Sequence, residues 1–309
     1  MTISRREMLV ATSAAVAATA MHTSAHASDA AEPFGYSFNT STIRGQGLPV
    51  DEEARIAAKA GWNAFEPWIR ELQAFEKAGG DLKDFGKRLA DLGLKVESSI
   101  GFAKWIVDDA GERAKGLDEA KRDMEMVLKI GGKRIAAPPV GATDQAHLDL
   151  SAAADRYRAL AEVGAKMGVI PEVEVWGFSK TLSKLGETVL VAMESGHPQA
   201  CVLPDVYHLF KGGSGFGGLK LLQGKTIGIF HVNDYPSGKD RHQIGDADRV
   251  YPGDGVAPLK EVLRTLRDIG YRGMLSLELF NPTYYKLDAF EVAKTGLEKL
   301  KAVVKESLS

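Results

Sequence analysis

Eight short runs of β-forming residues alternate with helical patterns at nearly even spacing along this chain, and that alternation constrains its fold more than any other feature. The runs are Phe34–Asn39, Asn63–Ile69, Lys95–Ser99, Arg134–Ala137, Gly168–Val175, Ala200–Leu203, Ile227–Phe230 and Met274–Leu279. Helical periodicity covers Asp51–Ala60, Glu71–Leu92, Leu117–Ile130, Ala152–Met167, Pro258–Asp268 and Leu287–Lys305. Five helical patterns stop at a glycine just before a strand-like run: Ala60-Gly61, Leu92-Gly93, Ile130-Gly131-Gly132, Met167-Gly168 and Ile269-Gly270. A glycine there accepts the left-handed conformation that ends a helix and turns the chain back. Divided among eight strand–helix units, the chain gives roughly 35 residues each, the size of one (β/α)8 barrel unit. No composition break marks a second domain, so the expected fold is α/β, a single-domain (β/α)8 TIM barrel over residues 34–309. An open doubly wound sheet is the alternative, but no glycine-rich phosphate fingerprint follows the first run.

The start of the chain reads differently. Ser4-Arg5-Arg6-Glu7-Met8-Leu9-Val10 is a twin-arginine start, followed by an Ala-rich uncharged run, Leu9–Ala20, and an A-x-A cleavage site at Ala25-His26-Ala27. The run is too short and too rich in alanine to span a bilayer. The expectation is a cleaved signal over residues 1–27, a linker over 28–33, recognition by the twin-arginine export machinery, and a periplasmic or exported mature protein with no membrane anchor. That route carries proteins already folded, which suits one that must load a selected metal first. Removing Arg5, Arg6 and Glu7 moves the formal net charge from −2 to −3, so no global attraction for nucleic acid is expected. The single cysteine, Cys201, lies in an apolar run and reads as a small core residue. A homo-oligomer is compatible with the sequence.

Chemistry concentrates in Lys225–Gly255, where an apolar run turns polar at His231, Asn233 and Asp234 and leads into a long loop closed by Pro252-Gly253-Asp254-Gly255. In a barrel, the C-terminal ends of the strands face one another around the active site. Four such ends carry polar residues: Glu174, Asp205, His231 and Glu278. Three carboxylates and an imidazole form a hard set with one borderline nitrogen, suited to one divalent ion among Mn²⁺, Co²⁺, Mg²⁺ and Zn²⁺. Glu172 competes with Glu174, since residues two apart in a strand point the same way. Glu174 is preferred because it is nearer the strand end, which leaves Glu172 deeper and in need of a partner.

The stretches EVWG, LPDVYHL, FHVND, DADRVYPGDG and LSLELFNPTYYKL, together with FNTSTIR and AFEPWIR, resemble the xylose-isomerase-like TIM-barrel superfamily, and within it the 2-keto-myo-inositol isomerases. The resemblance implies a single divalent metal held by Glu174, Asp205, His231 and Glu278, with Glu174 and Glu278 moving the substrate proton. It also implies that His208 and Arg249 contact substrate oxygens. Arg249 reads equally well as a loop salt bridge to Asp246 or Asp248, and Glu66 either touches substrate or pairs with Arg70.

The implied chemistry is sound on its own terms. A carbon acid beside a ketone is too weak for a free carboxylate unless the enediolate is stabilised as it forms, which a divalent Lewis acid achieves. Two flanking carboxylates then remove and return the proton. Trp68, Trp105, Trp176, Phe210 and Tyr251 either wall the pocket or pack between loops, with Trp176 taken as a substrate contact. Gly212-Gly213-Ser214-Gly215 reads as a flexible lid rather than a phosphate loop. The expected activity is thus a metal-dependent isomerase or epimerase of an inosose or keto-sugar. An exported 3-keto-glycoside epimerase or lyase and a non-catalytic sugar-binding relative are the alternatives. An endonuclease of the same superfamily, which needs a histidine-rich three-metal cluster and a basic face, fits poorly with five histidines after the signal, at 147, 197, 208, 231 and 242.

Overall fold

The first strand, β1 (Gly35–Asn39), is the seam of the sheet: it pairs in parallel with β2 (Ala64–Glu66) on one side and with the last strand, β7 (Met274–Leu277), on the other. A computed structural model describes residues 32–309, so the expected leader and residues 28–31 of the linker lie outside the described residues. From β7 the ladder continues to β6 (Phe230–Val232), and separately β3 (Arg134–Ala137) pairs with β4 (Ile170–Glu174) and β4 with β5 (Cys201–Leu203). Two gaps remain, and both are bridged. Residues 95–100 join β2 through the Ala64–Lys95 bridge and β3 through Ser99 N–H to Arg134 O (3.2 Å) and Ala136 N–H to Ser99 O (2.9 Å). Bridges Val202–Ile227 and Asp205–His231 link β5 to β6. The circuit therefore closes, which excludes the open sheet and makes this a (β/α)8 barrel.

Around it pack α1 (Val50–Ala60), α2 (Ile69–Lys77), α3 (Leu82–Asp91), α4 (Ala110–Lys129), α5 (Leu150–Met167), α6 (Leu185–Glu194), α7 (Val206–Gly212), α8 (Leu259–Asp268) and α9 (Ala289–Leu308). Asp81, Asp109, Asp149 and Asp288 cap four of them by accepting first-turn N–H groups. All five expected glycine stops hold positive φ, from 76° at Gly93 to 94° at Gly61. Residues Pro33–Ser309 form one compact unit whose main core lies between barrel and helices.

Three expectations need correction. The third run is bridged at Lys95 and Ile100 rather than laddered throughout, and Pro67, which has no N–H to donate, interrupts its neighbour β2. The seventh run is bridged to β5 at Ile227 but ladders with β7 only from Phe230 through Val232, and the Ile229 N–H goes to the Glu172 carboxylate (2.8 Å). The glycine-rich 212–215 segment is no loose lid. Gly213 is the left-handed C-cap of α7, and Ser214 Oγ accepts the Leu185 N–H (2.7 Å) at the start of α6.

Candidate metal centre

Register brings the polar strand ends to one level. Asn39 pairs with Glu66, and Ser276 pairs with both Ser37 and His231, so Glu278 rises two residues above Ser276 on the inward face. Asp205, at the end of β5, bridges to His231 and caps α7 by accepting the His208 N–H (2.8 Å). The consequence is a buried group, Asp205, His231 and Glu278, with one donor atom of each within 4.8 Å of the others. His231 Nδ1 faces Glu278 Oε2 at 3.4 Å and Asp205 Oδ2 at 3.8 Å, and makes no well-directed hydrogen bond to either. Two carboxylates and an unclaimed imidazole nitrogen, sealed from water, fit a divalent cation.

Glu174 stands apart from that group. It lines the adjoining cavity with Glu278, and its Oε2 has no hydrogen-bond partner. Burial, reinforced by the negative charge of Glu278, pushes its carboxyl well above the usual range. Glu278 goes the other way: burial alone would raise it, but the His231 and Arg249 charges bring it down to about 2. Burial acts against a charge on His231 too, yet Glu66 and Glu278 raise its pKa well above that of free imidazole. His208 is pushed well below by burial and by Arg249, and is neutral.

Arg249 forms the expected loop salt bridge, to Asp246, and also lines the cavity. One nitrogen, Nη1, donates to Asp205 Oδ2 (3.0 Å) and Glu278 Oε2 (2.9 Å), and Nη2 donates to Asp246 Oδ1 (2.6 Å) and lies 3.3 Å from His208 Nε2. Its guanidinium also lies over the rings of Tyr207 and Phe280.

The cavity above this floor encloses about 190 Å³. Trp68, Phe102, Trp176, Phe178 and Phe280 wall it, and Glu174, His208, Asp246, Arg249 and Glu278 supply its polar groups. Trp176 is thus placed where substrate contact was expected. Glu66 is not: it is fully buried, hydrogen-bonded to His231, Asn39 and Ser276, and does not line the cavity. Nor does it pair with Arg70, whose guanidinium lies over Trp68. Trp105 donates to Pro138 O (2.9 Å), Phe210 stacks on Tyr235 and Tyr251 on Tyr284, so these three pack between elements. The partner that Glu172 required is Arg134, on the neighbouring strand, at 3.8 Å. Sequence reasoning passed over Phe102, Phe178 and Phe280; aromatic residues just beyond strand ends were the available signal.

A closed eight-stranded α/β barrel with a buried acid–imidazole set at its C-terminal mouth defines a TIM-barrel protein in which three residues able to hold a metal ion lie beside a cavity. A family profile described as xylose isomerase-like TIM barrel matches residues 54–303. The chain belongs to that family. It is 33% identical over 204 residues to an inosose isomerase of Bacillus licheniformis, covering 64% of this chain and 71% of that protein. It is 25% identical over 239 residues to a D-psicose 3-epimerase of Agrobacterium fabrum, covering 73% of this chain and 78% of the relative. The crystal structure of the IolI protein with a bound zinc atom superposes with a TM-score of 0.82 at 23% identity, over 89% of this chain and 99% of that one, a likeness of fold.

Proposed function

We propose that this protein is a divalent-metal-dependent isomerase or epimerase that moves a proton next to the ketone of an inosose or other keto-sugar. The observation that carries the proposal is the buried convergence of Asp205, His231 and Glu278 beside a cavity that also presents Glu174. A divalent cation held by these residues would act as a Lewis acid on the carbonyl whose neighbouring C–H is to ionise. Glu174 and Glu278 both line the cavity, so one can remove the proton and the other, or the same one, can return it. Gly177 N–H lies 3.3 Å from His208 Nδ1 and Arg249 Nη2 lies 3.3 Å from its Nε2, so the neutral imidazole is held between a backbone amide and the guanidinium. Arg249 and His208 both line the cavity, where they can reach a substrate oxygen on which negative charge grows as the proton leaves. The aromatic walls exclude water and stack against the C–H face of a ring.

One observation favours a second reading, an epimerase or lyase of 3-keto-glycosides. Phe178 is 48% exposed at the rim and packs tilted against Trp176, ring centroids 5.0 Å apart, extending the aromatic wall outward to where an aglycone would lie. Both readings begin with the same proton abstraction, so one experiment tests both. Chelator-stripped protein is reloaded with Mn²⁺, Co²⁺, Mg²⁺ or Zn²⁺ and incubated in D₂O with inososes, ketoses and keto-glycosides. Deuterium entering the position next to the ketone supports catalysis, and the class that exchanges fastest identifies the substrate. Binding without exchange across the whole panel would assign the protein to non-catalytic sugar binding. The leader supports a periplasmic or exported location after twin-arginine export, which fractionation of cells expressing the wild-type and Arg5→Lys/Arg6→Lys chains would test.

A further inference from the structure

We propose that Glu66 is the positioning residue of the metal centre, holding the His231 imidazole with its proton on Nε2 and its Nδ1 lone pair turned toward the cation. The inference rests on the metal centre proposed above.

The two nitrogens of an imidazole lie on different edges of the ring, and which one carries the proton is decided by what the other faces. In His231, Nε2 lies 3.0 Å from Glu66 Oε2, and Nδ1 is turned to Asp205 and Glu278. A carboxylate oxygen can only accept, so Nε2 must donate; the other tautomer would set a lone pair against it at 3.0 Å. Glu66 is itself clamped. Ser276 Oγ donates to Oε2 at 2.6 Å and Asn39 Nδ2 at 2.9 Å, so three donors converge on one oxygen. The orientation of Asn39 is set in turn, because its Oδ1 accepts from Trp68 Nε1 (2.9 Å) and the Ser41 N–H (3.0 Å). Its amide nitrogen is thereby directed at Glu66 and also at Glu278 Oε1 (3.3 Å). One asparagine thus ties the carboxylate behind the histidine to a carboxylate in front of it, and Trp68 links that tie to the cavity wall. Glu66 has no path to substrate, being fully buried and absent from the cavity lining. Carboxylates behind metal-bound histidines fix the tautomer and ring orientation, and losing one weakens metal binding by about 10–100-fold.

The test is Zn²⁺ affinity, measured on chelator-stripped protein against a chromophoric chelator, together with ¹⁵N NMR of labelled histidine in the Zn²⁺-loaded chain. The expected result is a wild-type His231 protonated at Nε2, and a folded Glu66→Gln variant whose Zn²⁺ dissociation constant rises about 10–100-fold. Ser276→Ala, which removes a single clamp, should shift affinity less and in the same direction. It keeps the proposal open to refutation even if Glu66→Gln does not fold. A folded Glu66→Gln with wild-type affinity, a Ser276→Ala with wild-type affinity, or a wild-type His231 protonated at Nδ1 would overturn the assignment while leaving the centre intact. A merely structural role would lower the melting temperature without moving either readout. A wild-type chain that binds no Zn²⁺ would overturn the centre itself.

Discussion

Glu174 and Glu278 are the same residue type at two strand ends, and their surroundings shift their carboxyls in opposite directions. Both are buried, but Glu278 lies among the positive charges of His231 and Arg249, whereas Glu174 faces the like charge of Glu278. Replacing either by glutamine should lower the rate of deuterium exchange by about 10²–10⁴, with a much smaller change in KM; initial-rate NMR in D₂O measures this. Arg249 neutralises Asp205 and Glu278 while buried, so Arg249→Ala should destabilise the metal-free protein by about 3 kcal/mol, with part of the loss recovered when a divalent metal is added. Denaturant titration with and without metal checks both halves. Asp205, His231 and Glu278 were legible in the sequence because each is a polar residue that ends an apolar strand run. The roles of Glu66 and Asn39 were not, because each depends on which groups of β6 and β7 meet it across the barrel.

Among the elements, the approach to β6 is closely packed. A Cβ on Gly228 would sit 2.1 Å from Glu172 Oε2, so the carboxylate reaching across from β4 fills the space a side chain would take. Gly228→Ala should therefore destabilise the fold by about 1–3 kcal/mol in denaturant titrations. The loop that follows is built on Asp234, whose carboxylate accepts the backbone N–H groups of Tyr235, Gly253, Gly255 and Ala257 at 2.8–3.1 Å. That loop carries Arg249, with Asp234 and Val250 exchanging backbone hydrogen bonds in between. The helices were readable from periodicity and glycine stops. Helices α6 and α7 were missed: α6 is apolar along most of its length, and α7 is short and begins at a cap, Asp205, that looks like a strand end.

For the whole molecule, metal and protons should both register in stability. A cation that binds only the folded chain adds about 2.7 kcal/mol at a hundredfold excess over its dissociation constant, so the melting temperature should climb with metal concentration and fall on chelation. Asp123, on α4, supplies a pH dependence away from the site. Burial, with help from Glu119, pushes its carboxyl up to about 7. A carboxyl raised in the fold stabilises fully below its unfolded value near 4 and loses that contribution as pH rises through 7. Asp123→Asn should therefore match the wild type at pH 4 and exceed it by roughly 1–3 kcal/mol at pH 8, as thermal melts across that range would show.

The sequence by itself determined the number and order of the strand–helix units, the glycines that end the helices, and the acids and histidine at the strand ends. All of these are local properties, set by side-chain pattern and backbone freedom within a few residues. Only the tertiary structure decided that β1 closes onto β7, that Asp205, His231 and Glu278 form a tighter group than Glu174 joins, and that Glu66 serves the histidine rather than a ligand. Those outcomes depend on barrel closure, which brings residues more than a hundred positions apart to hydrogen-bonding distance, and local pattern carries no record of such neighbours.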